Sequence, residues 1–128
     1  VSRGLGDVYK RQIVGPVISE RCKPELRNHT IETAGILNKA GVPMCICTDH
    51  PVVPEQYLPL SAGLAVRGGL DRDEALKAIT IYPAQITGIA DRVGSIEVGK
   101  DADIVIFSGD PLSVCDTPDM VIVNGTVI

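Results

Sequence analysis

Tryptophan is absent from the 128 residues, phenylalanine occurs once and tyrosine three times. With so few rings the core has to be aliphatic, and stacking on nucleobases is not a mode of binding this composition supports. Positive charge is also scarce: 12 Lys and Arg stand against 16 Asp and Glu, a formal charge of −4. A nucleic acid or an anionic membrane needs a basic patch, so neither is expected as a partner. No apolar run approaches the ~20 residues of a membrane helix, and no signal-peptide pattern opens the chain. Four cysteines, Cys22, Cys45, Cys47 and Cys115, are too sparse for a secreted disulfide framework, and reduced thiols in a cytoplasmic setting are expected. An export signal upstream would change that expectation. What is present, 45% hydrophobic residues and a mean hydropathy of +0.20, describes a globular domain with one modest core.

Residues 1–12 are set aside from the fold. Asp7-Val8-Tyr9-Lys10-Arg11-Gln12 is what GAT GTG TAT AAG AGA CAG, a transposon end used in library preparation, encodes, and Ser2 to Gly6 match the adapter bases before it in the same frame. The natural sequence is therefore expected to start near Ile13, with its front portion missing. The competing reading, a phosphate loop at Gly4-Leu5-Gly6, lacks a preceding strand and a following helix pattern.

Ile13 to Ile18 reads as a buried strand interrupted by Gly15-Pro16. A charged loop, Ser19 to Thr30, leads to a helix starting at Glu32 or Thr33, with Ile36, Leu37 and Ala40 on its inner face and Gly41 as its stop. Val42 to Thr48 is a continuous apolar run of the kind buried on both faces in parallel sheets, so the order implies a right-handed strand–helix–strand crossover. A Pro-rich loop, Asp49 to Gln56, precedes a helix from Leu58 to Arg67 that ends at Gly68-Gly69. Asp71 and Glu74 resemble a capping box for the next helix, and Pro83 to Thr87 forms another, stopped by Gly88. From Val93 the pattern changes to short β runs at Ser95–Val98, Asp103–Phe107, Met120–Val123 and Thr126–Ile128, with Asn124-Gly125 as a hairpin turn. A boundary near Ala90 to Arg92 separates residues 13–90 from a small β unit, 91–128.

Several blocks together resemble one family. Lys39-Ala40-Gly41-Val42, Thr48-Asp49-His50-Pro51, Ala75-Leu76-Lys77-Ala78-Ile79-Thr80, Pro83-Ala84 and, most specifically, Gly94-Ser95-Ile96-Glu97-Val98-Gly99-Lys100-Asp101-Ala102-Asp103-Ile104-Val105 look like the C-terminal end of the metal-dependent amidohydrolases, in the branch related to imidazolonepropionase. The resemblance runs from Ile13 to Ile128. It implies an α/β fold: the last two strands and helices of a (β/α)8 TIM-like barrel, with the strand near Ile13 as the seventh and Val42–Thr48 as the eighth, plus part of a small β-sandwich domain. A complete barrel takes roughly 250 residues, so this chain holds one end of it.

The same resemblance makes Asp49 the principal site residue, at the C-terminal mouth of a barrel strand. The matching aspartate in the family binds a divalent metal, usually zinc, and shuttles a proton from water to the leaving nitrogen. Taken as a dipeptide alone, Thr48-Asp49 reads instead as a cap on the turn before Pro51. His50 either lines the substrate pocket or is an ordinary loop histidine, and His29 lies in the charged loop. The Asp49-His50-Pro51 sequence departs from imidazolonepropionase proper, where an Asn-Pro motif follows the aspartate, so the substrate is left open. Arg21 or Arg27 could clamp a substrate carboxylate, unless the stretch is simply a solvated helix start at Pro24. Cys45 and Cys47 read as small packed hydrophobes.

Three functions follow. The parent protein is a hydrolase of C–N bonds in cyclic amides or dipeptide-like substrates, the isolated piece being inactive and the parent open to homo-oligomerisation. A second reading is deamination of a heterocycle by the same metal-activated water. The third is a non-catalytic small α/β binding module.

Overall fold

The structure, a computed structural model of the chain, describes residues 10–21 and 23–128. Residues 1–9 of the adapter-like stretch 1–12, and Cys22, lie outside the described residues, whereas Gln12 of that stretch opens the first strand.

Strand β1 (Gln12–Val14) and strand β2 (Met44–Ile46) pair in parallel, Gln12 opposite Met44, Ile13 opposite Cys45 and Val14 opposite Ile46. Helix α1 (Thr33–Lys39) connects them, which is the strand–helix–strand unit the apolar pattern implies. All three residues of β2 are buried, as a strand covered on both faces must be. The first strand is shorter and barer than its apolar run suggested. It stops at Val14, and Ile13 keeps 62% exposure because no described strand flanks β1 on its other side.

Helix α1 also turns differently from its expected inner face. Ala34 and Gly35 are buried, whereas Ile36 is 58% exposed and Ala40 is exposed. The reason is close backbone packing: a Cβ on Gly35 would sit 2.9 Å from the Gly69 carbonyl carbon. Only the glycine lets α1 approach the turn after helix α2 (Leu58–Arg67). Gly41, at φ 71°, ends α1 as its position predicts.

Helix α2 ends at Gly68, and α3 (Arg72–Ala78) begins at Asp71, whose carboxylate accepts the backbone N–H of Asp73 at 2.9 Å and of Glu74 at 3.1 Å. The capping box is half made. Glu74 does not reach back to Asp71; its carboxylate instead accepts Lys77 Nζ at 2.8 Å, the Tyr82 hydroxyl at 2.8 Å and Asn38 Nδ2 at 3.3 Å, joining α1, α3 and α4 (Ile81–Thr87). The Lys77 and Tyr82 hydrogen bonds, in that order, hold the Glu74 carboxyl below its usual range. Helix α3 packs against both α2 and α4, and all three contact β2.

The core is aliphatic and small. Ala62, Ala65, Ala75 and Ala78 are completely buried among Val17, Met44, Ile46 and Leu70. Leu112 belongs to this same core, although it comes from the later part of the chain. A side chain on Gly63 of α2 would strike the Leu112 carbonyl, and Arg72 bridges Asp110 at 2.7 Å, so the loop around residue 112 is seated on α2 and α3.

Beyond Gly88 the described elements are strands: β3 (Ile104–Ile106), β4 (Met120–Val123) and β5 (Thr126–Val127), an antiparallel sheet in that order. Asn124 and Gly125, at φ 49° and 79°, make the two-residue hairpin that this dipeptide favours. The strand expected over Ser95–Val98 does not form. Ile96 is 83% exposed with no neighbouring strand to pair with among the described residues, and Ser95, Glu97 and Lys100 instead hydrogen-bond locally to close turns.

Candidate active site at the C-terminal edge of the parallel strands

Parallel pairing sends the loops after β1 and β2 off the same edge of the sheet. The two chains stay close as they leave. Cys47 N–H donates to the Val14 carbonyl at 2.9 Å, and a Cβ on Gly15 would collide with the Cys47 carbonyl. Residue 15 must therefore be glycine for the two loops to share this mouth.

Asp49 stands in the second loop. Thr48 is buried, and its carbonyl accepts from Val53 at 3.3 Å, with buried Val53 anchoring the far side. Between them Asp49 adopts φ 54°, a left-handed conformation that aspartate tolerates better than most residues. The turn is closed by the Asp49 backbone carbonyl, which accepts from Val52 at 2.9 Å. Its carboxylate is exposed and makes no hydrogen bond with the described residues. The side chain is thus not a turn cap, and it is left available to a ligand. His50 follows, exposed, with a cis bond to Pro51.

The first loop carries the arginines. Pro24–Leu26 is a single 3-10 turn with proline at its start, the helix-start signal that the sequence contains. Arg27 caps that turn with its backbone only, donating to the Pro24 carbonyl at 3.3 Å. Arg21 is also exposed, but its Nε donates to the His29 carbonyl at 2.9 Å. The His29 ring in turn reaches the Pro16 carbonyl from Nε2 at 2.9 Å. A carbonyl only accepts, so Nε2 carries the proton. This contact between residues thirteen apart is not visible in sequence spacing, which placed His29 merely in a charged loop.

Cys45 is buried and Cys47 half-buried. Burial raises both thiols above their usual range. At Cys47 the Asp49 N–H opposes this and the Asp49 charge adds to it; at Cys45 the neighbouring Cys47 adds to it. Both are therefore neutral thiols near pH 7, matching their reading as packing residues. Among the described residues no group of three or more His, Cys, Asp or Glu is placed to hold a metal ion. A cavity of about 330 Å³ lies elsewhere, at the opposite edge of β2, lined by Pro43, Met44, Asn38, Glu74, Tyr82 and Gln85. Its one carboxylate is already satisfied within the helices.

Residues 11–128 match the model of the amidohydrolase family. The chain belongs to this family. Among curated relatives, this amidohydrolase is similar to imidazolonepropionase from Thermoplasma acidophilum, 41% identical over 70 residues that make up 53% of the chain and 17% of that protein. Among solved structures it is similar to an amidohydrolase from Thermotoga maritima MSB8, with a TM-score of 0.86 and 40% identity over 91% of this chain and 30% of that one. A Xaa-Pro dipeptidase with methionine bound in its active site is more distant, at a TM-score of 0.69 and 26% identity, over 79% of this chain and 26% of that one. The chain thus spans between about a sixth and a third of the length of these relatives. Its two parallel strands and their helices are part of a (β/α)8 TIM-like barrel.

Members of this superfamily generally use divalent metals. The donor chemistry at this edge fits such an ion in part: one exposed, unbonded carboxylate, Asp49, suits a hard or borderline cation as a single ligand.

Proposed function

We propose that this amidohydrolase chain is the C-terminal portion of a longer metal-dependent hydrolase. It acts on the C–N bonds of cyclic amides or dipeptide-like small molecules, with β1 and β2 as the last two barrel strands and residues 91–128 as a small β domain whose Leu112 packs into the helical core. When bound, a divalent ion, zinc in this reading, lowers the pKa of a water to about 7. Asp49 would be one of the residues that hold that ion, and its carboxylate would accept a proton from the attacking water and return it to the leaving nitrogen. His50 and an arginine of the first loop, Arg21 or Arg27, line the substrate pocket. The free thiols of Cys45, Cys47 and Cys115 fit a cytoplasmic protein.

The observation that carries this reading is the free carboxylate of Asp49, held in a left-handed turn at the strand mouth while the backbone closes the turn. In the longer protein, Asp49→Asn is expected to lower kcat by about 1,000-fold and to reduce metal content, with little change in thermal unfolding. Turnover within tenfold of wild type would remove Asp49 from this role. The 128-residue chain alone is expected to show no turnover, because one carboxylate does not hold the ion. Ammonia release from heterocyclic amines, assayed beside hydrolysis of cyclic amides and dipeptides, separates deaminase from hydrolase.

A further inference from the structure

The loop after β1 is tied down by two linked hydrogen bonds that end on a guanidinium. His29 Nε2 donates to the Pro16 carbonyl, two residues past the end of β1, and Arg21 Nε donates to the His29 carbonyl, each at 2.9 Å. Gly15, beside Pro16, is pressed against Cys47 of the second loop, so Cys47, Gly15, Pro16, His29 and Arg21 form a continuous series of contacts from the Asp49 loop to the arginine. Arg21 spends only its Nε on this series. Its two terminal nitrogens make no hydrogen bond or ion pair with the described residues, and they are the pair that meets a carboxylate side-on. Arg27, on the same loop, has no such anchor for its side chain among the described residues.

We propose that Arg21, rather than Arg27, binds a substrate carboxylate at this mouth, and that His29 is a positioning residue that holds it there. This deepens the reading above and rests on it: it assigns to the substrate a carboxylate group lying away from the bond that is cleaved. The preference for Arg21 follows from entropy. An arginine already fixed at Nε loses less rotamer freedom on binding than one that is free, so more of the interaction appears as affinity. His29 acts through the loop, its Nε2 being committed to Pro16.

The test is calorimetric titration of the longer protein with glutarate and with its uncharged counterpart glutaramide, so that no turnover is required. Arg21→Met is expected to weaken glutarate binding by at least about tenfold, the loss of a charge-assisted pair. His29→Ala should weaken it several-fold, and His29→Gln, whose amide can still donate to Pro16, should recover most of that loss. Arg27→Met should leave glutarate binding within twofold, and glutaramide binding should be the same in all variants. The proposal is overturned by glutarate failing to bind the wild type, by Arg21→Met binding it as wild type does, by glutaramide weakening in parallel, or by a larger effect at Arg27. A loss at Arg21 with none at His29→Ala would overturn the positioning role. Because Asp49→Asn is read by turnover and metal content, failure of the hydrolase reading is distinguishable from failure of this one.

Discussion

The helices around β2 and the sheet of β3 to β5 treat apolar side chains in opposite ways. In the first, Ala62, Ala65, Ala75 and Ala78, among the least hydrophobic of apolar residues, lose all exposure. In the second, Val105, Ile106, Met120, Val123 and Val127 keep between 41% and 60% of theirs. Burial is therefore set by whether a second layer lies against the element, and not by how oily its residues are. The helices cover one another and the strand, and their small side chains let them do so closely. The three-stranded sheet has no such layer among the described residues, and its link to the core runs through the loop bearing Leu112 and Asp110.

The sharpest way to break this contrast is at that link. Leu112→Ala is expected to destabilise the chain by about 3 kcal/mol, the usual cost of emptying a buried leucine site, read as a lowered urea midpoint. A loss under about 1 kcal/mol would mean that the later residues do not share the core. Next in size, Asp71→Ala should cost about 1 kcal/mol by freeing two N–H groups at the start of α3, measured in the same way.

Glu74 sharpens the helical side through pH. Its folded carboxyl is held low, first by Lys77 and then by Tyr82, so its contribution is full above the ordinary glutamate range and is lost as pH falls through the lowered folded value. Glu74→Gln should thus lower stability near neutrality by less than about 1 kcal/mol. The difference from wild type should vanish in acid, and an equal difference at every pH would assign the effect to packing alone. The smallest effect is expected on the sheet. Val105→Thr should change stability by no more than about 0.5 kcal/mol and weaken binding of a hydrophobic dye, whereas a loss above 1 kcal/mol would show that this face is covered in solution.

Local signals in the sequence located most of the elements. Gly68-Gly69 marks the end of α2, Asp71 the start of α3, Gly88 the end of α4 and Asn124-Gly125 the hairpin, each through a conformation or cap that a few adjacent residues dictate. The parallel unit was legible from the apolar run at Val42–Thr48, and Asp49 from its place after that run within a recognisable motif. Other features were not legible. Ser95–Val98 alternates like a strand, but a strand needs a partner and none lies beside it among the described residues. Ile36 has helical spacing with Leu37 and Ala40, yet the face that is buried is the one bearing Gly35, chosen by the backbone of Gly69. The tie from Pro16 through His29 to Arg21 leaves no periodic trace.

By itself, then, the chain's order of residues determined its caps, turns and family, along with the position of one carboxylate directly after a strand, because each depends on neighbours within a few peptide bonds. Tertiary structure alone decided which helix face is buried and which arginine is anchored. Those outcomes turn on contacts between distant segments, where one glycine or one carbonyl sets how closely two pieces of backbone meet.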